Sequence, residues 1–453
     1  MGDEAGRLRE TQARENAPAA ANSALALALE AAALLFANGQ TTERVVFAVE
    51  RLARALGYHA GVFPQWGQLN VWLYDDQGVA REDARVTLPT GVDMAKVTAT
   101  LDVIDSVCDG RMTPAAAQSS LAAVKALPPV PLLRFALMTA VGAAAFGVIF
   151  GGAWPPALLV MALSAGAGAC LRRWLARFTR GPFLQPFCAA LLAGLVGAIA
   201  LRLDLGTTLS LVALCPCMVL VPGPHFLNGA LDLVRLRIPL GLARLAYALL
   251  VVLMISAGLL AGLTLGGSTL SVSAQSIAVP LAYEVVAAGA AVAAIGTFFG
   301  IPWRALPVPI LIGMLAHAAR WTMLAAGAGV VVAALAACLV IGAIATPIAD
   351  RMRLPFAALA FVSAVSLIPG VYLFRTAEGI VSVVMPGAAA APDLLLDTVA
   401  NGATAFMIVL AIVFGLVFPR VCMESRRLAR KQETPVAVPP LLPAQPQAGE
   451  SVR

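Results

Sequence analysis

Residues 131–419 form a nearly continuous series of apolar segments, interrupted mainly by Gly, Pro and Arg. A soluble domain has too little interior to bury this much apolar surface, and the whole chain is 60% hydrophobic and only 12% charged. In a bilayer, backbone N–H and C=O groups must be paired within the protein, which restricts spanning segments to helices or closed barrels. The length of these segments predicts a polytopic α-helical membrane protein.

Ten apolar segments can be delimited, and four Trp residues lie at segment ends, at positions 154, 174, 303 and 321. Aromatic residues at segment ends are typical of the boundary between hydrocarbon and headgroups. The predicted transmembrane helices are 132–152, 156–171, 183–201, 207–221, 241–265, 277–299, 306–319, 328–348, 355–368 and 399–418.

The flanking regions have a different composition. Residues 23–130 carry charges at the density of a soluble protein and mix helical with strand-like patterns, which predicts a cytosolic α+β domain. Its first apolar run, Ser23–Phe36, is short and contains Glu30, so we expect an amphipathic helix rather than a span. Residues 1–22 lack the apolar core of a signal peptide, and residues 423–453 are basic and then Pro-rich. Both are predicted to be disordered.

Basic residues predict the orientation. If the domain at 23–130 is cytoplasmic and the helices alternate, sixteen Lys and Arg residues lie at inner ends. Only Arg202, Arg320 and Arg375 then lie at outer ends. Such a bias predicts that the N-terminus and the C-terminus are both cytoplasmic. The net charge of +6 is therefore explained by topology and does not indicate nucleic-acid binding.

Three features recur after 147 residues, in one register and without a gap. They are Pro155 and Pro302, the pairs Arg173-Trp174 and Arg320-Trp321, and the pairs Pro222-Gly223 and Pro369-Gly370. This shift relates the first five predicted helices to the last five and so divides the chain into two units of five helices each, 131–270 and 271–422. Because five is odd, consecutive units have opposite orientations, which predicts an inverted 5+5 repeat of the kind found in secondary transporters.

Both Pro-Gly pairs follow unusually short apolar segments, of fifteen and fourteen residues. Such segments cover roughly 21–23 Å, less than the ~30 Å hydrocarbon core. Pro lacks an N–H and Gly lacks a Cβ, so each pair permits an unwound turn. Interrupted segments at matching places in two halves indicate a transport site. Pro222, Gly223, Pro369 and Gly370 are accordingly predicted to frame the substrate site.

Polar residues follow the first break. His225 and Asn228 are candidates for lining the substrate site. Asp232 could bind a substrate ammonium or carry the coupled proton. Alternatively, Asp232 pairs with Arg235, three residues later on the same helix.

The second break is followed by Tyr372 and Arg375. Arg375 could hold a substrate carboxylate while Tyr372 donates a hydrogen bond. Alternatively, Arg375 pairs with Glu378 at the outer surface.

Glu284 is a second candidate for proton coupling, because an ionised carboxylate at membrane depth costs roughly 2.5–3.5 kcal/mol. Alternatively, its helix begins later and Glu284 lies near the outer interface. His317 and Arg320 are interpreted as a structural cluster at the outer interface. The three His and seven Cys residues show no metal-ligand spacing, so no metal or other cofactor is predicted.

Several stretches carry a resemblance to a known family. They are FANGQTTERVVFAVERLARALG, LPPVP, VPGPHFLNGALDLVRLRIPLGLARLAY and LIPGVYLF. Here the chain resembles the threonine/serine exporter family, with two five-span units fused in one chain, although Pro224-His225 departs from the family pattern. The resemblance implies export of threonine, serine or a dicarboxylate from the cytoplasm through a bacterial inner membrane, coupled to protons.

The leading hypothesis is therefore a proton-exchanging secondary exporter of small hydroxy amino acids, not an enzyme, which could form a homo-oligomer. The absence of a Walker motif argues against ATP as the energy source. A second hypothesis is a dicarboxylate exporter, for which Arg235 or Arg375 would be essential. A third is a membrane-anchored sensor that acts through its soluble domain.

Overall fold

The computed structural model describes residues 2–75, 78, 80–152, 154–179, 181–203, 209–268, 279–351, 356–384 and 392–433. Residues 434–453 of the predicted tail lie outside this description.

Four helices and a three-stranded antiparallel sheet of order β1-β2-β3 form an N-terminal module. Alternate residues of β2, namely Leu69, Val71 and Leu73, are buried, and α1 contacts both β2 and β3. This alternation is typical of a sheet with one covered face. The elements are α1 (Gly2–Ala37), α2 (Thr42–Ala55), β1 (His59–Gln65), β2 (Gly67–Tyr74), β3 (Ala80–Thr87), α3 (Met94–Cys108) and α4 (Pro114–Lys125).

The two ends of the chain differ from the prediction of disorder. Helix α1 begins at Gly2, within the stretch 1–22. Ala, Arg and Glu are strong helix formers, and the packed second half of α1 provides a nucleus from which the helix can extend. At the other end, the last helix continues to Glu433, beyond the predicted boundary at residue 422.

Twelve helices follow the module within the described residues, and each of the ten predicted apolar segments overlaps at least one of them. The first unit contains α5 (Leu132–Ile149), α6 (Pro155–Leu175), α7 (Leu184–Arg202), α8 (Leu209–Met218), α9 (Gly223–Val234) and α10 (Ile238–Leu265). The second contains α11 (Leu281–Phe298), α12 (Pro307–Ala325), α13 (Val330–Arg351), α14 (Phe356–Val365), α15 (Gly370–Val384) and α16 (Pro392–Glu433).

The chain is a polytopic α-helical membrane protein. In the described part of the chain, nine helices are long and apolar enough to cross a bilayer, or up to eleven spans if two bent helix pairs each count as one. One of the nine is the stretch Ala19–Ala37 of α1. That stretch differs from the others because α1 packs against the sheet and against α2, α3 and α4.

The two bent pairs are α8 with α9 and α14 with α15, with bends of 57° and 55°. Pro222 and Pro369 lie at the bends, and Gly223 and Gly370 begin the second helix of each pair. The two predicted breaks are therefore present. Each pair continues beyond the break as a second short helix.

Both breaks use the same backbone hydrogen bonds. Before the first, the N–H groups of Leu220 and Val221 donate to carbonyls three residues back, and Gly223 N–H donates to Val221 O at 2.8 Å. Pro222 has φ −80° and ψ 58°, which is an inverse γ-turn. Every one of these bonds recurs 147 residues later, including Gly370 N–H to Ile368 O at 2.7 Å.

The breaks also face each other. A Cβ on Gly223 would collide with the side chain of Ile368, which directly precedes Pro369. A Cβ on Gly370 would lie 3.5 Å from Met218 Cγ, at the end of α8. Glycine at position 223 thus lets one broken pair approach the other, whereas a Cβ at position 370 would make only an ordinary contact.

Glycines also bring α7 and α10 together. Gly258 and Gly262, four residues apart on α10, lie against the carbonyl oxygens of Phe187 and Leu191 on α7. Small residues at this spacing let the backbones of membrane helices approach closely. In the second unit Gly415 of α16 lies in the same way against Cys338 of α13, and these two pairs make the most extensive helix contacts of their units.

We predict that Gly258→Ala destabilises the protein, because the added methyl group would collide with the Phe187 carbonyl. Overpacking of this kind typically costs about 1–3 kcal/mol. The midpoint of thermal unfolding of the purified protein in detergent measures the effect. Gly166→Ala on α6 is the matched control, since its Cβ would meet only ordinary contacts, the nearest at 3.6 Å. A Gly258→Ala midpoint at or above that of the wild type would contradict the prediction.

Candidate functional site

Three of the predicted substrate-site residues share one face of α9. His225, Asn228 and Asp232 are separated by three and four residues, which aligns them along a helix. All three are buried, with exposed fractions of 7%, 6% and 2%. An apolar helix therefore presents one polar stripe, and the stripe is covered.

The N-terminal module covers part of this stripe. His225 Nε2 lies 3.1 Å from Pro89 O, in the loop between β3 and α3. Asn228 donates from Nδ2 to Gly39 O at 3.1 Å, in the turn between α1 and α2. Both side chains therefore bind backbone oxygens of the module in this conformation.

Asp232 is the most enclosed residue of the stripe. Its Oδ2 accepts a hydrogen bond from Thr42 Oγ1 at 3.1 Å and lies 3.1 Å from Arg244 Nη1. Arg237 approaches the other carboxylate oxygen at 3.6 Å. The Asp232–Arg244 pair is almost inaccessible, since both side chains are at most 3% exposed. The carboxylate thus joins the module, α9 and α10.

Asp232 does not pair with Arg235. Arg235 instead forms an ion pair with Glu43 of α2. The chain turns sharply after α9, where Leu236 has a φ of 60°, a conformation that is strained for a residue with a side chain. Arg237 N–H donates to the Asp232 carbonyl at 2.8 Å and closes this turn. The turn therefore places Arg235 against the module and Arg237 near the Asp232 carboxylate.

Two loops of the module, which are hydrogen-bonded to each other, carry the backbone oxygens that contact α9. Gly39 ends α1 with a φ of 90°, which favours glycine, and Thr41 begins α2 as its N-cap. Asp93 N–H donates to Asn38 O at 3.1 Å, which joins the second loop to the first. The loops also reach the second unit, where Met94 N–H donates to Phe299 O at 2.8 Å.

A second polar cluster lies in the other unit and contains Glu284, in the first turn of α11. Glu284 Oε1 lies 2.7 Å from Arg320 Nη1 and 3.4 Å from His317 Nδ1. The other ring nitrogen of His317 lies 3.1 Å from Ser366 Oγ. Ser366 precedes Pro369 by three residues, so the cluster reaches the second break.

One member of this cluster, Ser366, was missed from the sequence. His317 was interpreted with Arg320 as a structural group at the outer interface; in the structure His317 is only 1% exposed and contacts both Glu284 and Ser366. Ser366 gives no sequence signal, because a serine in an apolar segment usually bonds its own helix backbone. For His317, the available signal was its spacing of three residues from Arg320 on an otherwise apolar helix.

Tyr372 and Arg375 lie on α15, just after the second break. The Arg375 guanidinium lies 5.9 Å from the centroid of the Tyr372 ring, at the limit of a cation–π contact. The 147-residue shift places Tyr372 at the position of His225 and Arg375 at that of Asn228. The two breaks are thus followed by polar residues at the same positions, although the residue types differ.

The space next to the breaks is apolar. A pocket between α9, α14 and α16 is lined only by hydrophobic residues and glycine, among them Gly223, Phe226, Phe361, Ile368, Val409 and Ile412. Across the described ranges, no group of three or more His, Cys, Asp or Glu side chains is arranged to hold a metal ion. The chemistry available near the breaks is therefore that of the two buried polar clusters.

Comparison with protein families gives two matches that divide the chain in the same way as the helices. The model described as "Putative threonine/serine exporter" matches residues 26–266. The model described as "Threonine/Serine exporter, ThrE" matches residues 284–422. Comparisons with curated proteins and with solved structures give no match. Since the first match alone covers more than half of the residues, this chain belongs to the threonine/serine exporter family, in a form that carries both units.

Proposed function

We propose that this protein is a secondary transporter that exports small hydroxy amino acids of the threonine and serine class in exchange for protons. The observation that carries the proposal is the pair of facing backbone breaks in a chain of the threonine/serine exporter family. In secondary transporters, substrates bind near the bilayer midplane where helices are discontinuous. Pro222, Gly223, Pro369 and Gly370 would frame the substrate site there.

An inverted repeat of two five-span units would explain the match between the breaks. Helices α8 and α14 have equal lengths and bounds that differ by 147 residues, and the hydrogen bonds at the two breaks differ by the same number. The contacts between units agree with a two-fold relation. Helix α9 contacts α14 and α16, while α15 contacts α8 and α10, which are their counterparts.

Opposite orientation of the two units has a direct mechanical consequence. If the units can exchange conformations, the site between them opens first to one side of the membrane and then to the other. Each unit contains five spans if its bent helix pair, α8 with α9 or α14 with α15, is taken as a single span. The stretch Ala19–Ala37 would add an eleventh, but we assign it to a cytosolic α+β module because α1 packs on the sheet.

The distribution of basic residues supports cytoplasmic termini in a bacterial inner membrane. With the N-terminal module inside, sixteen Lys and Arg residues occupy inner positions and three occupy outer ones. The docking of the module on α9 and on Phe299 is compatible with this orientation, because it needs both contact points on the same side.

Proton coupling is assigned to the Glu284 cluster. Protonation would remove the charge of Glu284 and weaken its pairing with Arg320 and with His317. His317 could then change its contact with Ser366, which lies next to the second break. A buried carboxylate that pairs with a base inside the membrane is the usual form of such a coupling site. Asp232 is the second candidate for this role.

Efflux from loaded cells tests the transport activity. We expect cells that express the chain and are loaded with a threonine-containing dipeptide to lose threonine faster than cells without the gene. The same experiment with serine and succinate separates amino-acid export from dicarboxylate export. Equal rates for every amino acid, with and without the gene, would refute the proposal, and faster succinate loss alone would favour the dicarboxylate hypothesis.

Glu284→Gln tests the coupling. The amide cannot be ionised, so we expect efflux by the variant to become independent of an imposed pH gradient, while downhill movement of threonine continues. The measurement is threonine efflux from membrane vesicles at several pH gradients, with and without an uncoupler. Asp393→Asn, at an exposed position in the first turn of α16, is the matched control. A variant with the gradient dependence of the wild type would exclude Glu284 as the coupling residue.

Pro222→Ala and Pro369→Ala test the breaks. Each change restores a backbone N–H and removes up to about 3 kcal/mol of bias against a continuous helix. We therefore expect efflux to fall at least about tenfold in either variant, since 1.4 kcal/mol corresponds to that factor. Membrane abundance of each variant is the control. Full transport by both variants would contradict a role for the breaks.

A further inference from the structure

The search for an unassigned site leads to the Arg244 cluster, which consists of Gln40, Thr42, Asp232 and Arg244. Gln40 and Thr42 belong to the N-terminal module, whereas Asp232 and Arg244 belong to α9 and α10. All four residues are at most 2% exposed. The cluster therefore lies inside the contact between the module and the membrane unit.

Two donors in this cluster have no hydrogen-bond partner among the described residues. They are Nε2 of Gln40 and Nη2 of Arg244. Arg244 Nη1 also makes no geometrically good hydrogen bond, although it lies 3.1 Å from the Asp232 carboxylate. A buried donor without a partner typically costs about 1–3 kcal/mol. Native proteins contain few such groups, and each calls for a partner such as water, an ion or a ligand.

The geometry of Arg244 suits a carboxylate. One side of its guanidinium is covered by the ring of Phe36, with Cζ 5.2 Å from the ring centroid. A planar guanidinium presents paired N–H groups that match the two oxygens of a carboxylate. Gln40 stands in sequence between Gly39, whose carbonyl binds Asn228, and Thr42, which binds Asp232, and its Nε2 is a further buried donor without a partner.

The negative charge of Asp232 determines which kind of carboxylate ligand the cluster can accept. A ligand with two negative groups would be brought next to the buried Asp232 charge, which is unfavourable. An α-amino acid adds no net charge, because its ammonium can approach Asp232 while its carboxylate approaches Arg244. The cluster thus offers complementary charges for the invariant part of an amino acid and leaves the side chain of the ligand to other contacts.

We propose that the Arg244 cluster binds the ammonium and carboxylate of an α-amino acid, with Gln40 of the N-terminal module completing the site. This proposal rests on the proposed amino-acid export and adds the residues that recognise the substrate on the side of the module. The module is then one wall of the loading site, and an amino acid can enter only after the module has moved from α9. The 147-residue shift puts Gly379 at the position of Asp232 and Ala391 at that of Arg244, so the second unit has no copy of this site.

Gln40→Leu is the first variant, because it removes the unpartnered Nε2 donor. It also removes the Oε1 atom that accepts a hydrogen bond from Thr41 N–H at 2.9 Å, so the variant should unfold below the wild-type temperature. We expect the purified full-length variant to bind radiolabelled threonine at least about tenfold more weakly. Affinity is measured well below the unfolding midpoint of the variant, so that the loss reflects the site and not the folded fraction.

Arg244→Lys gives a second measurement. It keeps the charge beside Asp232 but loses the paired N–H groups, so we expect threonine affinity to fall by a similar factor. Competition with the wild type defines the ligand class. Threonine should compete, whereas L-threoninol, which lacks the carboxylate, 3-hydroxybutyrate, which lacks the ammonium, and succinate should not.

Glu43→Gln is the matched control, since Glu43 lies at the same contact and pairs with Arg235 outside the cluster. Threonine affinity should change by less than about threefold in this variant. Wild-type affinity in Gln40→Leu and Arg244→Lys would overturn the site while leaving amino-acid export intact. A wild-type protein that binds no amino acid and exports none would overturn the proposed function, and the site with it.

Discussion

The fold depends on how two interruptions of the helical backbone are satisfied. A bilayer offers no water to unpaired backbone groups, so an unwound turn survives only where the protein supplies its hydrogen bonds. Here each break closes its own bonds, by bonds to carbonyls three residues back and then by a γ-turn hydrogen bond across the proline. The two breaks then shield each other, because Gly223 allows the pairs to approach. The breaks, where the helical hydrogen bonding is interrupted, thus lie at the contact between the two units.

The polar stripe of α9 follows from the same constraint. After the break the chain carries a histidine, an amide and a carboxylate on an otherwise apolar helix, and these groups would be costly without partners. The N-terminal module provides them from two loops that are hydrogen-bonded to each other, through Gly39 O, Thr42 Oγ1 and Pro89 O. A module with the composition of a separate soluble domain therefore supplies polar partners to α9 of the membrane unit.

Much of this architecture was predictable, because it follows from periodicity and composition. Apolar segments, the two breaks and the mixture of helices and strands in the module are local properties of the chain. The partners of the polar residues were not predictable, since they are non-local. Thr42 and Asp232 are 190 residues apart, and Arg235 pairs with α2 rather than with its helical neighbour. Disorder at residues 1–22 was predicted from composition, whereas helix propensity and the packed second half of α1 favour the helix found there.

Both units contain the same backbone break, but their buried polar side chains differ. The two units can therefore have different roles. The 147-residue shift aligns the breaks and their hydrogen bonds. It does not align the buried polar clusters. The positions of Glu284, His317 and Ser366 hold Leu137, Cys170 and Val219 in the first unit, and the position of Asp232 holds Gly379 in the second. One unit therefore carries a carboxylate cluster joined to the N-terminal module, and the other carries a carboxylate–histidine cluster next to its break. In the proposed exchange of a substrate for a proton, unlike polar clusters on a duplicated scaffold would let the two ligands act on different units.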